Sequence, residues 1–401
     1  MKRTKDDLHH RYKNMEGETM IYFDNSATTK PYPEVIESFI KVSTDYFGNP
    51  SSLHGLGVQA EKLLSAARKQ MAELLKVKSS EIYFTSGGTE SNNLAIKGVA
   101  QAYANRGKHI ITTAIEHPSV GDACHSLEEQ GFELTYLPVD EQGRISLSDL
   151  ELALREDTIL VSIMHVNNEV GSIQPIAEIG SLLKRYPKAL FHVDHVQGAG
   201  KVDLPIRESN IDLCSISGHK VHGLKGTGIL YIRDGVRIQS LFHGGNQETK
   251  IRSGTENVAG IVALSKAFRI SMNNQQLYHD KMQQIRDYLY EGLMKMDGVL
   301  VNSPLNGALH ILNFSVPGLK SEVLLHALEA EGIVVSTTSA CSSKKRTSSK
   351  TVEAMFHDSV RSESVIRIST TYSNQLEEAE KVLAAIQKIV ANLEKIMRVA
   401  K

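Results

Sequence analysis

A chain of 401 residues exceeds a single minimal domain and predicts one large and one smaller domain. With 41% hydrophobic residues it can bury a sizeable core, and a formal net charge of −1 offers no global basic field for nucleic acid and no acidic solvating tail. Three cysteines cannot all pair, which argues against a disulfide framework and for a reducing cytoplasm, and no uncharged apolar run is long enough to span a bilayer.

Residues 1–19 are polar and charged, without the apolar stretch an export signal needs, and read as a mobile N-terminal extension. From Met20 onward strand and helix patterns alternate. Val58 to Leu75 is an amphipathic helix: Ala60, Leu63, Leu64, Ala67, Met71, Leu74 and Leu75 follow helical spacing, with charged residues opposite. Short apolar runs come next at Ile82–Thr85, His109–Thr113, Ile159–Val166, Leu190–Val193, Leu213–Ile216 and Gly228–Ile232, most of them separated by helical patterns such as Ser119–Gln130 and Ile176–Arg185. That alternation predicts an α/β fold: a large, mostly parallel sheet with helices on both faces, over residues 20–270. Beyond about residue 270, long helical patterns (Gln275–Lys295, Leu376–Ile396) bracket strands at His310–Phe314, Ile333–Val335 and Val365–Ser369, a smaller α+β domain over 271–401. Ser336–Ser349, rich in Ser, Thr, Lys and Arg, reads as an exposed loop.

Ligands of an open parallel sheet collect beyond the carboxyl ends of its strands. Ser86-Gly87-Gly88-Thr89-Glu90-Ser91 lies between a strand and a helix, where glycines and free N–H groups suit a phosphate, although steric reasons alone also place glycines in such turns. Asp194 closes a buried strand, as a capping residue or as a charge aimed at a ligand. Alternation puts Asp194 and Val196 on one face and His195 on the other. Lys220, in Ser217-Gly218-His219-Lys220, is either a surface turn lysine or a desolvated amine suited to a Schiff base. Cys214 reads as strand packing and Cys124 as a helix residue with no functional signal. Cys341, ahead of Lys344, Lys345 and Arg346, is either incidental or a thiolate favoured by those cations.

Together and in order, these segments resemble one family from Met20 to about Val399: the cysteine desulfurases, within the class V aminotransferase branch of fold-type-I pyridoxal phosphate (PLP) enzymes. The matching stretches are Tyr22–Thr29, Phe47–Ser52, Thr85–Ser91, Glu116-His117, His165–Gly171, the Asp194 and Lys220 segments, Arg252–Asn257 and Ser339-Ala340-Cys341. The resemblance implies that Lys220 carries the cofactor and moves the substrate proton, that Asp194 pairs with the pyridinium nitrogen, and that His117 stacks on the ring and serves in proton transfer. It further implies that Val196 packs on the other ring face and that Gln197 bonds the ring oxygen. Gly88, Thr89, Ser217 and His219 hold the phosphate, Thr255 reaches it from a second subunit, and Asn168 and Arg367 anchor the substrate carboxylate. Cys341 takes sulfur from L-cysteine as a persulfide, as in the long-loop subgroup, and passes it to an acceptor protein such as an iron–sulfur scaffold or a tRNA-thiolation enzyme. A cytoplasmic homodimer with no direct nucleic-acid or membrane contact and no metal is implied. Selenocysteine lyase or another class V aminotransferase activity is the alternative. The chain departs from the pattern at His195, at Leu224 (a proline is expected, so the turn should loosen), at Asn246 and Thr249-Lys250, and in the basic run Lys344–Lys350.

Overall fold

The computed structural model describes residues 12–13, 19–337 and 348–399. The chain runs through β1 (Tyr12–Lys13), β2 (Thr19–Tyr22), α1 (Pro33–Asp45), α2 (Gly55–Leu75), β3 (Ile82–Thr85), α3 (Gly88–Tyr103), β4 (His109–Thr113) and α4 (Pro118–Glu128). Next come β5 (Glu133–Leu137), α5 (Leu147–Ala153), β6 (Thr158–Met164), α6 (Ile176–Leu183), β7 (Leu190–Asp194), β8 (Leu213–Ser217) and β9 (Gly228–Ile232). The remainder is α7 (Val258–Leu277), α8 (His279–Met294), β10 (Leu300–Val301), β11 (Ile311–Ser315), α9 (Ser321–Ala330), β12 (Ile333–Val334), α10 (Lys350–Phe356), α11 (Ser359–Glu363), β13 (Val365–Ser369) and α12 (Leu376–Val399).

Seven strands form the main sheet in the order β3-β9-β8-β7-β6-β4-β5, all parallel except β9, which is antiparallel to both neighbours. Every residue of β4, β6, β7, β8 and β9 is buried, so these strands read as unbroken apolar runs. Side chains alternate between two cores. Ile111, Val161, Phe191 and Ile216 meet α2, α6 and α7 on one face, while Ile110, Leu160, Leu190 and Leu213 meet α3 and α4 on the other. The expected run Ile159–Val166 ends at Met164 because His165 and Val166 turn away: His165 N–H bonds to Asp194 O at 2.8 Å, and Val166 bridges to Ile173. β5 was hidden in the sequence because it sits at the sheet edge, half exposed and with mixed composition.

A second core gathers Leu289, Phe314, Leu328, Ile366 and Ile386 from α8, α9, α12 and the antiparallel sheet β10-β11-β13. Phe23, from the other end of the chain, is buried in that same core; β2 pairs in parallel with β12, and Asp24 bridges to Ser369. Position 270 falls inside α7, which runs on to Leu277. The helical pattern of Gln275–Lys295 is therefore split. Tyr278 leaves helical geometry where its ring stacks on Tyr372, centroids 5.3 Å apart.

Among the buried histidines, His192, His165 and His222 are neutral within this framework. Burial pushes His192 down to about 3 and His165 and His222 down to about 4, from 6.5. The unfolded chain therefore binds more protons than the folded one between about pH 6.5 and 4, and stability falls as pH falls through that window. Each group contributes about 1.4 kcal/mol per pH unit inside its own window. Denaturant midpoints at pH 7 and pH 5 should differ in that direction, and equal midpoints would contradict it.

Candidate active site

The carboxyl ends of β3, β4, β6, β7 and β8 open on one edge of the sheet. At the end of β3 the chain turns through Gly87 (φ +154°) into the first residue of α3, Gly88. A Cβ on Gly88 would come within 2.7 Å of Val196 Cγ2, and one on Gly228 within 2.6 Å of Gly87 Cα. Only glycine lets this helix start press between β9 and the loop after β7. Ser217, at the end of β8, is buried beside the two glycines. Thr89 is exposed and lines, with His117 and Ser119, a cleft of about 330 Å³.

Asp194 ends β7 and is 5% exposed. Its Oδ2 accepts from Asn92 Nδ2 at 2.7 Å and its Oδ1 from Val196 N–H at 2.9 Å. The same Asn92 amide donates to Ser119 Oγ at 2.9 Å. Ser119 in turn meets His117: its N–H donates to Nδ1 at 3.1 Å and its Oγ lies 2.8 Å from that nitrogen. With Nδ1 accepting, Nε2 carries the ring proton. Desolvation holds His117 below the ordinary imidazole value, with Lys220 adding to it and Asp194 opposing. Just before it, burial pushes Glu116 up to about 8, although Thr113 Oγ1 and Met164 N–H donate to its Oε1.

Lys220 closes the short helical turn Gly218–Lys220 after β8. Its Nζ donates to Ser26 O at 2.5 Å and to Ala27 O at 2.8 Å. Gln197 Nε2 donates to the same Ser26 O at 2.9 Å, leaving Gln197 Oε1 buried with no hydrogen-bond partner. His219 Nδ1 lies 3.2 Å from Thr28 Oγ1, and burial together with Lys220, Lys225 and Lys201 pushes its ring down to about 4. Lys220, Gln197 and His219 thus meet on the segment Ser26–Thr28. Sequence reasoning left that segment without a role, because three of these four contacts are made by backbone carbonyls.

Arg367 lies on β13, paired in register with Asn313. Its Nη1 donates to the Asn168 backbone carbonyl at 2.8 Å and its Nη2 to Asp24 Oδ1 at 3.0 Å; Nε is buried with no partner. Asp24 was not expected here. Arg367 also pairs through its backbone with Ser336, and Ser349 Oγ donates to Glu169 Oε2, next to Asn168. Cys341, between those two anchored flanks in sequence, lies outside the described residues, as do Ser339 and Ala340. Thr255 is exposed in the segment leading into α7. Upstream of it, Arg252 Nε donates to Glu90 Oε1 at 2.8 Å, which ties that segment to the glycine turn.

His195 turns from the Asp194 face: its Nδ1 lies 2.9 Å from His165 Nδ1, and both rings are buried. The looser turn expected at Leu224 is not found. Thr227 Oγ1 donates to Leu224 O at 2.7 Å, and Leu224 packs with Val35, Ala263 and Ala267. Glu248, Thr249 and Lys250 take left-handed φ of 44°, 50° and 66°. Glu248 fastens that costly turn by accepting from Arg68 Nη1 and Nη2 at 2.8 and 2.7 Å and from Phe84 N–H at 2.9 Å.

A family model described as Aminotransferase class-V matches residues 21–382. A NifS/IcsS protein homolog of Lactobacillus delbrueckii subsp. bulgaricus is 48% identical over 380 residues, covering 94% of this chain and 99% of the relative. Cysteine desulfurase IscS of Methanosarcina thermophila is 44% identical over 389 residues, covering 95% of this chain and 96% of the relative. A solved NifS-like protein superposes with a TM-score of 0.88 at 39% identity, over 93% of this chain and all of its own. Matched from β2 into α12, with a glycine-led helix, a strand-end aspartate and a strand-end lysine meeting at one sheet edge, the chain belongs to the class V aminotransferase family.

Proposed function

We propose that the chain is a PLP-dependent cysteine desulfurase, converting L-cysteine to L-alanine and carrying the sulfur away as a persulfide on Cys341. The observation that carries this reading is the convergence of Lys220, Asp194 and His117 on one sheet edge, while both flanks of the segment holding Cys341 are fastened beside Arg367 and Asn168.

The residues present fit the cofactor. The start of α3 at Gly87-Gly88 offers unpaired N–H groups and a positive dipole end to a phosphate, with Thr89, Ser217 and His219 as further donors. Asp194 supplies a fixed carboxylate for the pyridinium nitrogen, Val196 and His117 are the candidates for the two ring faces, and the unpartnered Gln197 Oε1 can accept from the ring hydroxyl. When bound, PLP supplies an electron sink that drains charge from the substrate Cα and weakens its C–S bond.

The protein's own groups do the rest. Arg367 and Asn168 hold the substrate carboxylate, with the buried Arg367 Nε as a donor to spare. Lys220 Nζ takes the Cα proton, and Ser26 O and Ala27 O hold the resulting ammonium. His117 Nε2 donates a proton on the leaving side. The Cys341 thiolate attacks the substrate sulfur: a new S–S bond forms, the C–S bond breaks, Cβ takes up a proton, and the Lys220 ammonium returns one to Cα so that the product leaves as alanine. Lys344, Lys345 and Arg346 in sequence favour the thiolate.

Thr255 is assigned to the phosphate of a second subunit. The exposure of Phe47 (71%) and Leu53 (98%) supports a homodimer that covers them. The acceptor is a protein, an iron–sulfur scaffold or a tRNA-thiolation enzyme, and the setting is the cytoplasm. Among the described residues no helix is long and apolar enough to cross a membrane.

With L-cysteine and a reductant, the wild type should release alanine and sulfide in equal amounts. Cys341→Ala should keep the cofactor's absorption while turnover falls about 100-fold or more. A variant as active as wild type would reduce Cys341 to a bystander.

A further inference from the structure

Beside Lys220 lies a cavity of about 60 Å³, room for a few waters or one halide ion, lined by neither Asp194 nor His117. Of the residues assigned to cofactor or substrate, only Lys220 borders it. Its walls come from the loop after β7, the end of α7 with the start of α8, His310 ahead of β11 and the segment after β13. Gly200 (φ +66°) presses that loop onto α7, where an added Cβ would lie 2.9 Å from Ser271 Cβ.

The lining is basic and has no counter-charge. Lys201, Lys220, His222, His279 and His310 face the cavity, and no aspartate or glutamate is among the described lining residues. Two of these groups are already committed: Lys220 to the Ser26 and Ala27 carbonyls, and His222 to Lys30 O and Thr371 Oγ1. Three polar atoms are not. Lys201 Nζ, Tyr372 Oη and His310 Nε2 are all buried and all without a hydrogen-bond partner. Lys201 and Tyr372 bring hydrogens and no acceptor that pairs them. A buried ammonium beside a second lysine and neutral imidazoles, with no anion among the described lining residues, is costly unless something negative joins it.

We propose that this cavity is a binding site for a small monovalent anion of halide size, held by Lys201 Nζ and Tyr372 Oη next to the Lys220 side chain. His310 Nε2 becomes a third donor when the anion draws a proton onto the ring. Burial, and next Lys220, pushes Lys201 down to about 7, so an anion restores its charge and binds more tightly as pH falls through that value. An anion there also favours the protonated state of whatever nitrogen Lys220 presents, so ionic composition reaches the cofactor nitrogen without entering the cofactor cradle. That second effect rests on the assignment of Lys220 above; the binding itself does not.

The test has two arms on the holoenzyme. Crystals grown in bromide should show an anomalous peak between Lys201 and Tyr372 in the wild type and none in Lys201→Met. In solution, the pH titration of the lysine-linked chromophore should move up by about half a unit or more when chloride replaces gluconate at constant ionic strength. Bromide should occupy the site more fully in crystals at pH 6.5 than at 8.5, and the chloride shift of the titration should vanish in Lys201→Met and return in Lys201→Arg. An empty cavity at saturating bromide overturns the site. Bromide bound with an unmoved titration overturns the coupling to Lys220, and the same chloride shift in Lys201→Met overturns the role of Lys201. A failure of the cofactor assignment would look different: a wild type with no lysine-linked band at all.

Discussion

Replacing Lys220 by alanine should abolish alanine production from L-cysteine, by about four orders of magnitude. On the assignment proposed above the amine is both the attachment point of the cofactor and the base that handles the Cα proton, and no neighbouring group would replace it. Among the described residues Lys201 is the only other lysine bordering the cavity beside it, and it shares none of the carbonyls that hold Lys220. The fold should survive the change. Ser26 O keeps its hydrogen bond from Gln197, and Ala27 O loses the donor that Lys220 supplied. The readouts are the visible absorption of the lysine-linked cofactor and borohydride trapping of cofactor on the chain, both of which should vanish. Lys220→Arg keeps the charge but cannot form the linkage and should fail equally. Turnover within tenfold of wild type in either variant would overturn the assignment.

The second large effect is at Asp194. Asp194→Ala should lower turnover about 10³-fold and weaken cofactor binding measurably in an absorbance titration, because on the proposed assignment this carboxylate, fixed by two hydrogen bonds, keeps the ring nitrogen charged. Asn92 keeps its bond to Ser119 Oγ in that variant, while its other amide hydrogen and the Val196 N–H lose their acceptor. Asn92→Ala separates position from charge. The carboxylate remains but swings more freely, and the loss should be about tenfold, with an altered pH profile, since Asn92 also reaches His117 through Ser119. If Asp194→Ala retained tight cofactor binding and normal turnover, the ring nitrogen would have to be held elsewhere.

Much of this site was legible because it is written in strand ends. Buried parallel strands leave continuous apolar runs, and the residues just past each run lie by construction at the ligand edge, so Asp194, Lys220 and the Gly87-Gly88 turn stood out in the sequence. β5 did not, because an edge strand needs no apolar face on its open side. Asn92 was hidden as one polar residue among several on a helix whose inward side only the packing defines. Asp24 and Arg367 are 343 positions apart and meet through the pairing of opposite ends of the chain. Lys201 looked like an ordinary loop lysine, and its meaning rests on the missing carboxylate around it, a fact of three dimensions.

The strand entering the molecule at β2 has a mechanical consequence. Phe23 is locked into the C-terminal core, and three residues later the Ser26 carbonyl holds Lys220 against the main sheet. Three peptide units fully extended span only about 11 Å. The short strap Phe23–Ser26 therefore acts as an inextensible tether between two bodies, and any rotation of the C-terminal body beyond its slack must pull on the carbonyl that Lys220 touches.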